Sequence, residues 1–299
     1  MKKYTAWIVY NGNLNIDKFT SQVQHFKDVA EKEGIEAEMV KNNELLTAVK
    51  NGEAVIEGKY KNAHPDFVIF WDKDIALARH LEKTGMRLYN NSKAIEICDD
   101  KGLTYEVLSN NHIKMPDTII APKVYIKVED FSTYDYIISF LGFPMIIKEC
   151  FGSFGAQVYM INNRTELINK IQELGNKPYV FQKFINSSYG KDIRLNVVGG
   201  QVVAAMLRTS EDDFRANISA GGRMQHYDPT EAEKALAIKC CELTGSAFAG
   251  VDLLFGPNGE PIVCEINSNA HMKNIYDCTG VDVAEHILKY IINDMEVEK

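Results

Sequence analysis

The sequence predicts an α/β protein of more than one domain, and three observations carry that prediction. Strand-like and helix-like segments alternate from Ala6 to Tyr89 in the manner of a small doubly wound parallel sheet. From Pro122 onward the texture changes to strands flanking glycine-bearing loops and turns. A chain of 299 residues also exceeds one ordinary core, which suggests two or three domains.

The elements follow in order. Ala6–Tyr10 reads as a strand, Asp17–Glu33 as an amphipathic helix ended by Gly34, Glu36–Val40 as a strand and Asn43–Lys50 as a helix. Phe67–Trp71 is a buried strand after Pro65, followed by a helix at Ile75–Thr84 and a short strand at Arg87–Tyr89. No Gly-x-Gly-x-x-Gly follows the first strand, so this unit is not read as a dinucleotide site. Its sheet ends are better suited to serve a substrate or hold the neighbouring domain.

Asn91-Ser92 caps a helix from Lys93 to about Cys98, and Lys101–Asn110 forms another before Pro116. Strands at Pro144–Glu149 and Gln157–Ile161 flank a glycine loop, with a helix at Thr165–Leu174 and a buried strand at Tyr179–Ile185. Asp192–Val198 and Gln201–Arg208 make a hairpin around Gly199-Gly200, and Thr209–Arg223 is a long polar loop of the kind that often carries function. Asp228-Pro229-Thr230-Glu231 supplies an N-cap, a first-turn proline and a capping-box acid for a helix that Gly245 stops. A second hairpin and a last helix near Val281–Asn293 close the chain.

Composition narrows the function classes. The 45% hydrophobic and 25% charged fractions are those of a soluble globular protein, and no apolar run approaches membrane-spanning length, so the expected location is cytoplasmic. A net charge of −8 argues against sequence-independent nucleic-acid binding. The six cysteines show no Cys-x-x-Cys spacing and read as free thiols, without a disulfide framework or zinc site.

The hairpin is the most informative segment. Ala249-Gly250-Val251-Asp252-Leu253-Leu254-Phe255 and Pro261-Ile262-Val263-Cys264-Glu265-Ile266-Asn267 are joined through Asn258-Gly259, a strong two-residue turn signal. With those two residues at the turn, Asp252 faces Glu265 and Gly250 faces Asn267, while Val251 meets Ile266, Leu253 meets Cys264 and Phe255 meets Ile262. Facing carboxylates destabilise a sheet. A hard divalent cation would offset the repulsion; so would protonation of one carboxylate, or splaying of both into solvent.

Other residues invite chemistry. Lys148 sits in the apolar strand Met145-Ile146-Ile147-Lys148 just before the glycine loop, where it either meets an anion or snorkels outward. The glycines admit close approach of a bound group, so lysine and loop together suggest a phosphate cover, although a P-loop motif is absent. Asp192 and Arg194 lie two apart on one strand face, compatible with an internal ion pair or with ribose and phosphate contacts. The loop with Arg208, Arg215, Asn217 and Arg223 gathers three guanidinium groups, suited to an anionic substrate or to a solvated loop. No nucleophile elbow is present, and the histidines lack metal-ligand spacing.

Taken in order, these segments resemble the ATP-grasp fold, and most closely its RimK-type carboxylate-amine (α-L-glutamate) ligases. The matching stretches are Asp100-Lys101, Pro144–Lys148 with Gly152-Ser153-Phe154-Gly155, Gln182-Lys183-Phe184-Ile185, Gly190–Arg194, Val202–Met206, Asp213–Asn217, Gly250-Val251-Asp252 and Glu265-Ile266-Asn267. The resemblance covers roughly Lys93 to Ile291. It implies a Rossmann-like first domain over 1–92 and two α+β ATP-grasp subdomains over 93–184 and 185–299.

The same resemblance implies the chemistry. Lys101 and Lys148 would contact ATP phosphates under a cover formed by Gly152, Ser153, Phe154 and Gly155. Gln182, Lys183, Phe184 and Ile185 would line the adenine slot, with Asp192 near the ribose. Asp252, Glu265 and Asn267 match the family's ligands for one or two Mg²⁺, for which Mn²⁺ can substitute. Arg194, Arg208, Arg215 and Asn217 would face the γ-phosphate and the acyl substrate. The partners implied are a small-molecule or peptide carboxylate and an amine acceptor, in a protein that is often oligomeric, with no nucleic acid and no membrane. Asp252→Asn and Glu265→Gln are each expected to abolish turnover and leave the fold intact. A kinase acting on a hydroxyl group and a silent nucleotide-binding module are the competing readings. Where RimK-type chains continue with Ala-Ser-Pro-Gly after the metal-ligand asparagine, this one reads Ser268-Asn269-Ala270-His271-Met272. The acceptor therefore differs from that of the best-known members if this loop borders it, and His271 reads as a base, an acceptor contact or a packing residue.

Overall fold

The computed structural model describes residues 4–14, 16–152, 155–218 and 221–297. Its first sheet is built from β1 (Thr5–Tyr10), α1 (Asp17–Lys32), β2 (Glu36–Lys41), a separate hairpin of β3 (Leu46–Lys50) and β4 (Glu53–Glu57), then β5 (Phe67–Trp71), α2 (Ile75–Lys83) and β6 (Leu88–Tyr89). The four sheet strands are parallel in the order β2-β1-β5-β6. β5 is buried at every position because both faces are covered. Phe26 and Val29 of α1 pack with Ile8 and Ile69 on one side, and Leu77 and Leu81 of α2 with Val9 and Phe70 on the other.

β1 connects to β2 on one flank and the chain then returns to β5 on the opposite flank. This reversal opens a crevice at the carboxyl ends of β1 and β5, where ligands bind in open α/β sheets.

The expected helix at Asn43–Lys50 is corrected: a 3₁₀ turn spans Asn42–Glu44, and β3 pairs with β4 around Asn51-Gly52. Both turn residues have positive φ, 53° and 87°, as a two-residue mirror-image turn requires.

The middle of the chain supplies α3 (Ser92–Asp99), α4 (Lys101–Leu108), β7 (Thr118–Ile120), α5 (Tyr134–Leu141), β8 (Met145–Glu149), β9 (Val158–Ile161), α6 (Arg164–Leu174) and β10 (Tyr179–Lys183). Its antiparallel sheet runs β7-β10-β8-β9, covered on one face by Ile137 and Leu141 of α5 and by Leu167 and Ile171 of α6.

The last sheet contains β11 (Lys191–Val198), β12 (Gln201–Thr209), β13 (Arg223–His226), β14 (Phe248–Phe255) and β15 (Pro261–Asn267), in the antiparallel order β13-β12-β11-β14-β15. α7 (Glu231–Thr244) covers one face, seating Ala237, Cys240 and Cys241 on Ile193, Leu195, Val251, Val263 and Ile266. Alternation then turns Asp192, Arg194 and Asp252 to the opposite face. The helix cap is Thr230, with Glu233 completing the capping box, and not the expected Asp228.

α8 (Met272–Thr279) and α9 (Val283–Val297) fold back on the first sheet, so Ile275, Ile287 and Ile291 share a core with Phe26 and Phe67. Trp71 stacks on Phe248 with ring centroids 6.0 Å apart. The six cysteines are all free. Among the described residues, no helix is long and apolar enough to cross a membrane.

The β14–β15 register holds at its site end and departs at its turn. Gly250, Val251 and Asp252 face Asn267, Ile266 and Glu265 as expected. Leu253, however, faces Val263, Leu254 faces Ile262 and Phe255 faces Pro261. Gly256 N–H donates to the Glu260 carbonyl at 2.7 Å, so the turn is Pro257-Asn258-Gly259, with Gly259 at φ 81°. Three turn residues displace the pairing by one, and a bulge that leaves Cys264 without a partner restores it.

An alanine Cβ at Gly250 would lie 2.5 Å from the Ala270 Cβ, which has no rotamer by which to retreat. Gly250→Ala is expected to lower stability by roughly 1–3 kcal/mol in chemical denaturation. An unchanged midpoint would show that the Ala270 backbone yields freely.

Candidate active site

Four adjacent strands set one row of side chains. Met206 on β12 faces Arg194 on β11, Arg194 faces Asp252 on β14, and Asp252 faces Glu265 on β15. Arg194 Nε and Nη2 donate to the two Asp252 oxygens, each at 2.7 Å. Arg208, two residues beyond Met206 on the same face of β12, donates from Nε to Asp192 Oδ1 at 2.6 Å and places Nη2 2.9 Å from Asp252 Oδ2. Asp192, Arg208 and Asp252 are all buried. Lys101 Nζ lies 3.2 Å from Glu265 Oε1.

Arg194, Arg208 and Lys101 therefore offset the repulsion between the facing carboxylates. Burial alone would raise the Asp252 pKa, but Arg194 and Arg208 outweigh it and hold that pKa below the usual value. Asp192 has Arg208 and not the second guanidinium pair; burial dominates there and pushes its pKa up. Glu265 stays below its ordinary value despite partial burial, chiefly through Lys101. Asp192 pairs with Arg208 and Arg194 with Asp252, in place of the Asp192–Arg194 ion pair that was one of the two readings of that strand face.

Lys101, Lys148, Gly152 and Gly155, expected at nucleotide phosphates, line one cavity with Asp192, Arg208, Asp252 and Glu265. Lys101 opens α4, whose N-terminus Asp100 caps by accepting from the Gly102 and Leu103 amides, and its Nζ also reaches the Gly152 carbonyl at 3.4 Å. Lys148 neither snorkels outward nor pairs directly with a carboxylate: Nζ donates to Cys264 Sγ at 3.6 Å, beneath the β15 bulge. Burial penalises its ammonium, yet Cys264, Tyr105 and the Glu265 carboxylate keep its pKa above the ordinary value.

Gly155 has φ 72° and accepts from Arg215 Nη1 at 2.7 Å, so Arg215, itself fastened to Asp213, holds the glycine loop. Ser153 and Phe154 lie outside the described residues. Gln182, Lys183, Phe184 and Ile185 line a cavity with Lys101, Lys148, Gly152, Gly155, Asp192, Arg215 and Asn217. Arg223 is exposed and pairs with Glu211 instead.

A second cavity of about 460 Å³ adjoins the first, and Arg208, Asn217 and Glu265 line both. Its far wall is the switch-point crevice: Tyr10 at the end of β1 with Asn11 beyond it, and Trp71 at the end of β5 with Asp72 and Lys73 beyond it. Arg194, Asn267 and the Ser268–His271 segment form the near wall. Sequence reading did not single out Asn11, Asp72, Tyr105 or Cys264. For Asn11 and Asp72 the usable signal was their position just past the carboxyl ends of two strands.

The donor set fits a small hard cation brought in with phosphate. Among the described residues no three His, Cys, Asp and Glu form a preformed metal cage. Asp252 Oδ1 takes one hydrogen bond and keeps a lone pair, Glu265 is part-exposed, and the Asn267 amide makes only a long 3.5 Å contact to the Gly250 carbonyl. Mg²⁺ is commonly held by one or two carboxylates with substrate phosphates completing its shell.

A family model described as the RimK-like ATP-grasp domain matches residues 98–291. The chain belongs to the RimK-like ATP-grasp family of carboxylate-amine ligases. It is 37% identical over 224 residues to N-acetylaspartylglutamate synthase A from Homo sapiens, covering 74% of this chain and 56% of that protein. It is 33% identical over 271 residues to beta-citrylglutamate synthase B from Mus musculus, covering 87% and 69%. Among solved structures, D-alanine–D-alanine ligase from Bacillus anthracis superposes with a TM-score of 0.74 over 99% of this chain and all of that one. At 18% identity that likeness shows the ATP-grasp fold.

In this RimK-like chain the two carboxylates carry unequal structural weight, so the two replacements are expected to differ in stability. Asp252→Asn leaves Arg194 and the buried Arg208 short of their counter-charge and is expected to cost about 3 kcal/mol of stability. Glu265→Gln, at a part-exposed pair, is expected to cost about 1 kcal/mol or less. Because the Asp252 pKa is depressed, the difference should persist through neutral pH and vanish only as pH falls through its folded-state value. Equal denaturation midpoints for the two variants at pH 7 would contradict the assignment.

Proposed function

We propose that this chain is an ATP- and Mg²⁺-dependent ligase that joins a carboxylate to the amine of glutamate or another amino acid through an acyl-phosphate intermediate. One observation carries the reading: a cavity lined by Lys101, Lys148 and the glycine loop meets a second, polar cavity at Arg208, Asn217 and Glu265. A phosphoryl group in the first would be presented to a carboxylate in the second.

Lys101 and Lys148 draw the nucleotide phosphates in, and Arg215 keeps the glycine loop over them. The backbone of Gln182–Ile185 lines the adenine slot. Mg²⁺ bound with the nucleotide at Asp252, Glu265 and Asn267 would neutralise phosphate charge. Arg194 and Arg208, rigidly aimed by Asp252 and Asp192, face charge that develops on the γ-phosphoryl group. Fixed donors of this kind cost no reorganisation during reaction.

The acyl carboxylate oxygen attacks the γ-phosphorus, and the bond to the β-phosphate oxygen breaks to release ADP. The acceptor amine then attacks the acyl carbon and expels phosphate, losing a proton. No protein nucleophile enters either step, so catalysis rests on positioning and charge. Glutamate as acceptor and an acidic small molecule as acyl donor are supported by the names of the two relatives, both of which carry glutamate in the product. The chain spans 56% and 69% of their lengths, so their activities serve only as guides.

Incubation with ATP, Mg²⁺, an acid such as N-acetylaspartate or citrate, and hydroxylamine is expected to yield a hydroxamate and ADP. A stable phosphorylated product with no hydroxamate would make the chain a kinase; ATP binding without turnover would make it a silent module. Glu265→Gln is expected to lower hydroxamate formation by about a hundredfold or more. Activity within twofold of wild type would remove Glu265 from the metal site.

A further inference from the structure

Cys264 breaks the alternation of β15. In a regular strand consecutive side chains take opposite faces, so with Glu265 toward the nucleotide cavity Cys264 would enter the core and Val263 would return to the cavity. Instead Val263 and Ile266 both lie in the core beside α7, while Cys264 and Glu265 both line the cavity. The bulge accounts for this. Asp252 faces Glu265, Leu253 faces Val263, and Cys264 between them has no partner on β14.

A bulge residue leaves a backbone group to satisfy, and here one side chain does it. Tyr105 of α4 is buried, and its hydroxyl donates to the Cys264 carbonyl at 2.7 Å. One turn earlier on the same helix face is Lys101, whose Nζ lies 3.2 Å from Glu265 Oε1. α4 therefore grips both residues of the bulge, Cys264 by its backbone and Glu265 by its side chain. Cys264 in turn meets Lys148, which reaches it from β8 in the middle sheet with Nζ 3.6 Å from Sγ. A thiol sulfur is a weak acceptor, so it seats the ammonium without competing strongly with a phosphate for it. A carboxylate in its place would hold Lys148 back.

We propose that Tyr105 is a positioning residue for nucleotide binding: its hydroxyl pins the bulge, the bulge carries Cys264 into the cavity, and Cys264 seats Lys148 where the nucleotide phosphates arrive. The inference rests on the reading of this cavity as the nucleotide site of the ligase. Tyr105 is not among the described residues that line the cavity, so it acts through the groups it holds. Its hydroxyl also satisfies a carbonyl, and losing that bond lowers stability whatever happens to the nucleotide. Nucleotide affinity separates the two roles.

Binding of ATP with Mg²⁺ is measured by calorimetry without acid or amine, so that stoichiometry reports the folded fraction and the dissociation constant reports the site. Tyr105→Phe, which removes one oxygen, is expected to weaken ATP binding about fivefold or more. Cys264→Ala, which removes the thiol and keeps the bond from Tyr105 to the carbonyl, is expected to weaken it about threefold or more. In a Lys148→Met background the loss from Tyr105→Phe is expected to shrink to within about twofold, because the group it positions is gone. Affinity within about twofold of wild type in either single variant, or an undiminished Tyr105→Phe loss in the absence of Lys148, would overturn the proposal. A lowered stoichiometry or denaturation midpoint with unchanged affinity would also overturn it and leave Tyr105 a structural residue. Affinities that follow these expectations in a protein that forms no hydroxamate would remove the ligase reading and leave Tyr105 as assigned. A wild-type protein that binds no ATP would remove both.

Discussion

The buried clamp of Asp252 by Arg194 and Arg208 is the constraint on which the site depends. It ties β11, β12 and β14 through charged hydrogen bonds of 2.6 to 2.9 Å, with Asp192 holding the far side of Arg208. Removing charges from water is expensive, and such a cluster persists only when every member is paired in good geometry. The same pairing fixes Arg208 at the junction of the cavities and Arg194 in the wall of the second. Positioning and charge placement are thus consequences of one arrangement.

The clamp also changes what the facing carboxylates mean. Like charges opposite each other in a sheet call for an offset, and an ion alone would make the site a metal cage. Lys101 and the two arginines provide that offset within the protein, so Asp192, Asp252 and Glu265 are accompanied by Arg194, Arg208, Lys101 and Lys148. Such a surface attracts a polyanion, and a cation can enter with it.

Much of this was legible in the sequence wherever the signal was local or periodic. The parallel sheet, the Gly199-Gly200 hairpin and the facing of Asp252 with Glu265 follow from alternation and turn chemistry. The last came from a two-residue turn that the structure replaces with three residues, an offset cancelled by the bulge at Cys264. At Asn51-Gly52 the same dipeptide does make the two-residue turn, where Leu46–Lys50 had the composition of a helix and long-range pairing decided otherwise. The arginine clamp was not legible, because Arg208 reaches Asp252 diagonally across an intervening strand. Nor was the crevice wall at Asn11 and Asp72, since nothing local in a sequence states which strand ends meet a distant loop.

Transfer of phosphate to a carboxylate can be followed by the fate of a single oxygen. With an acyl substrate carrying heavy oxygen in its carboxylate, the account predicts that the phosphate released during amide formation contains one atom of that label per amide bond. Unlabelled phosphate from a reaction that still forms the amide would contradict it.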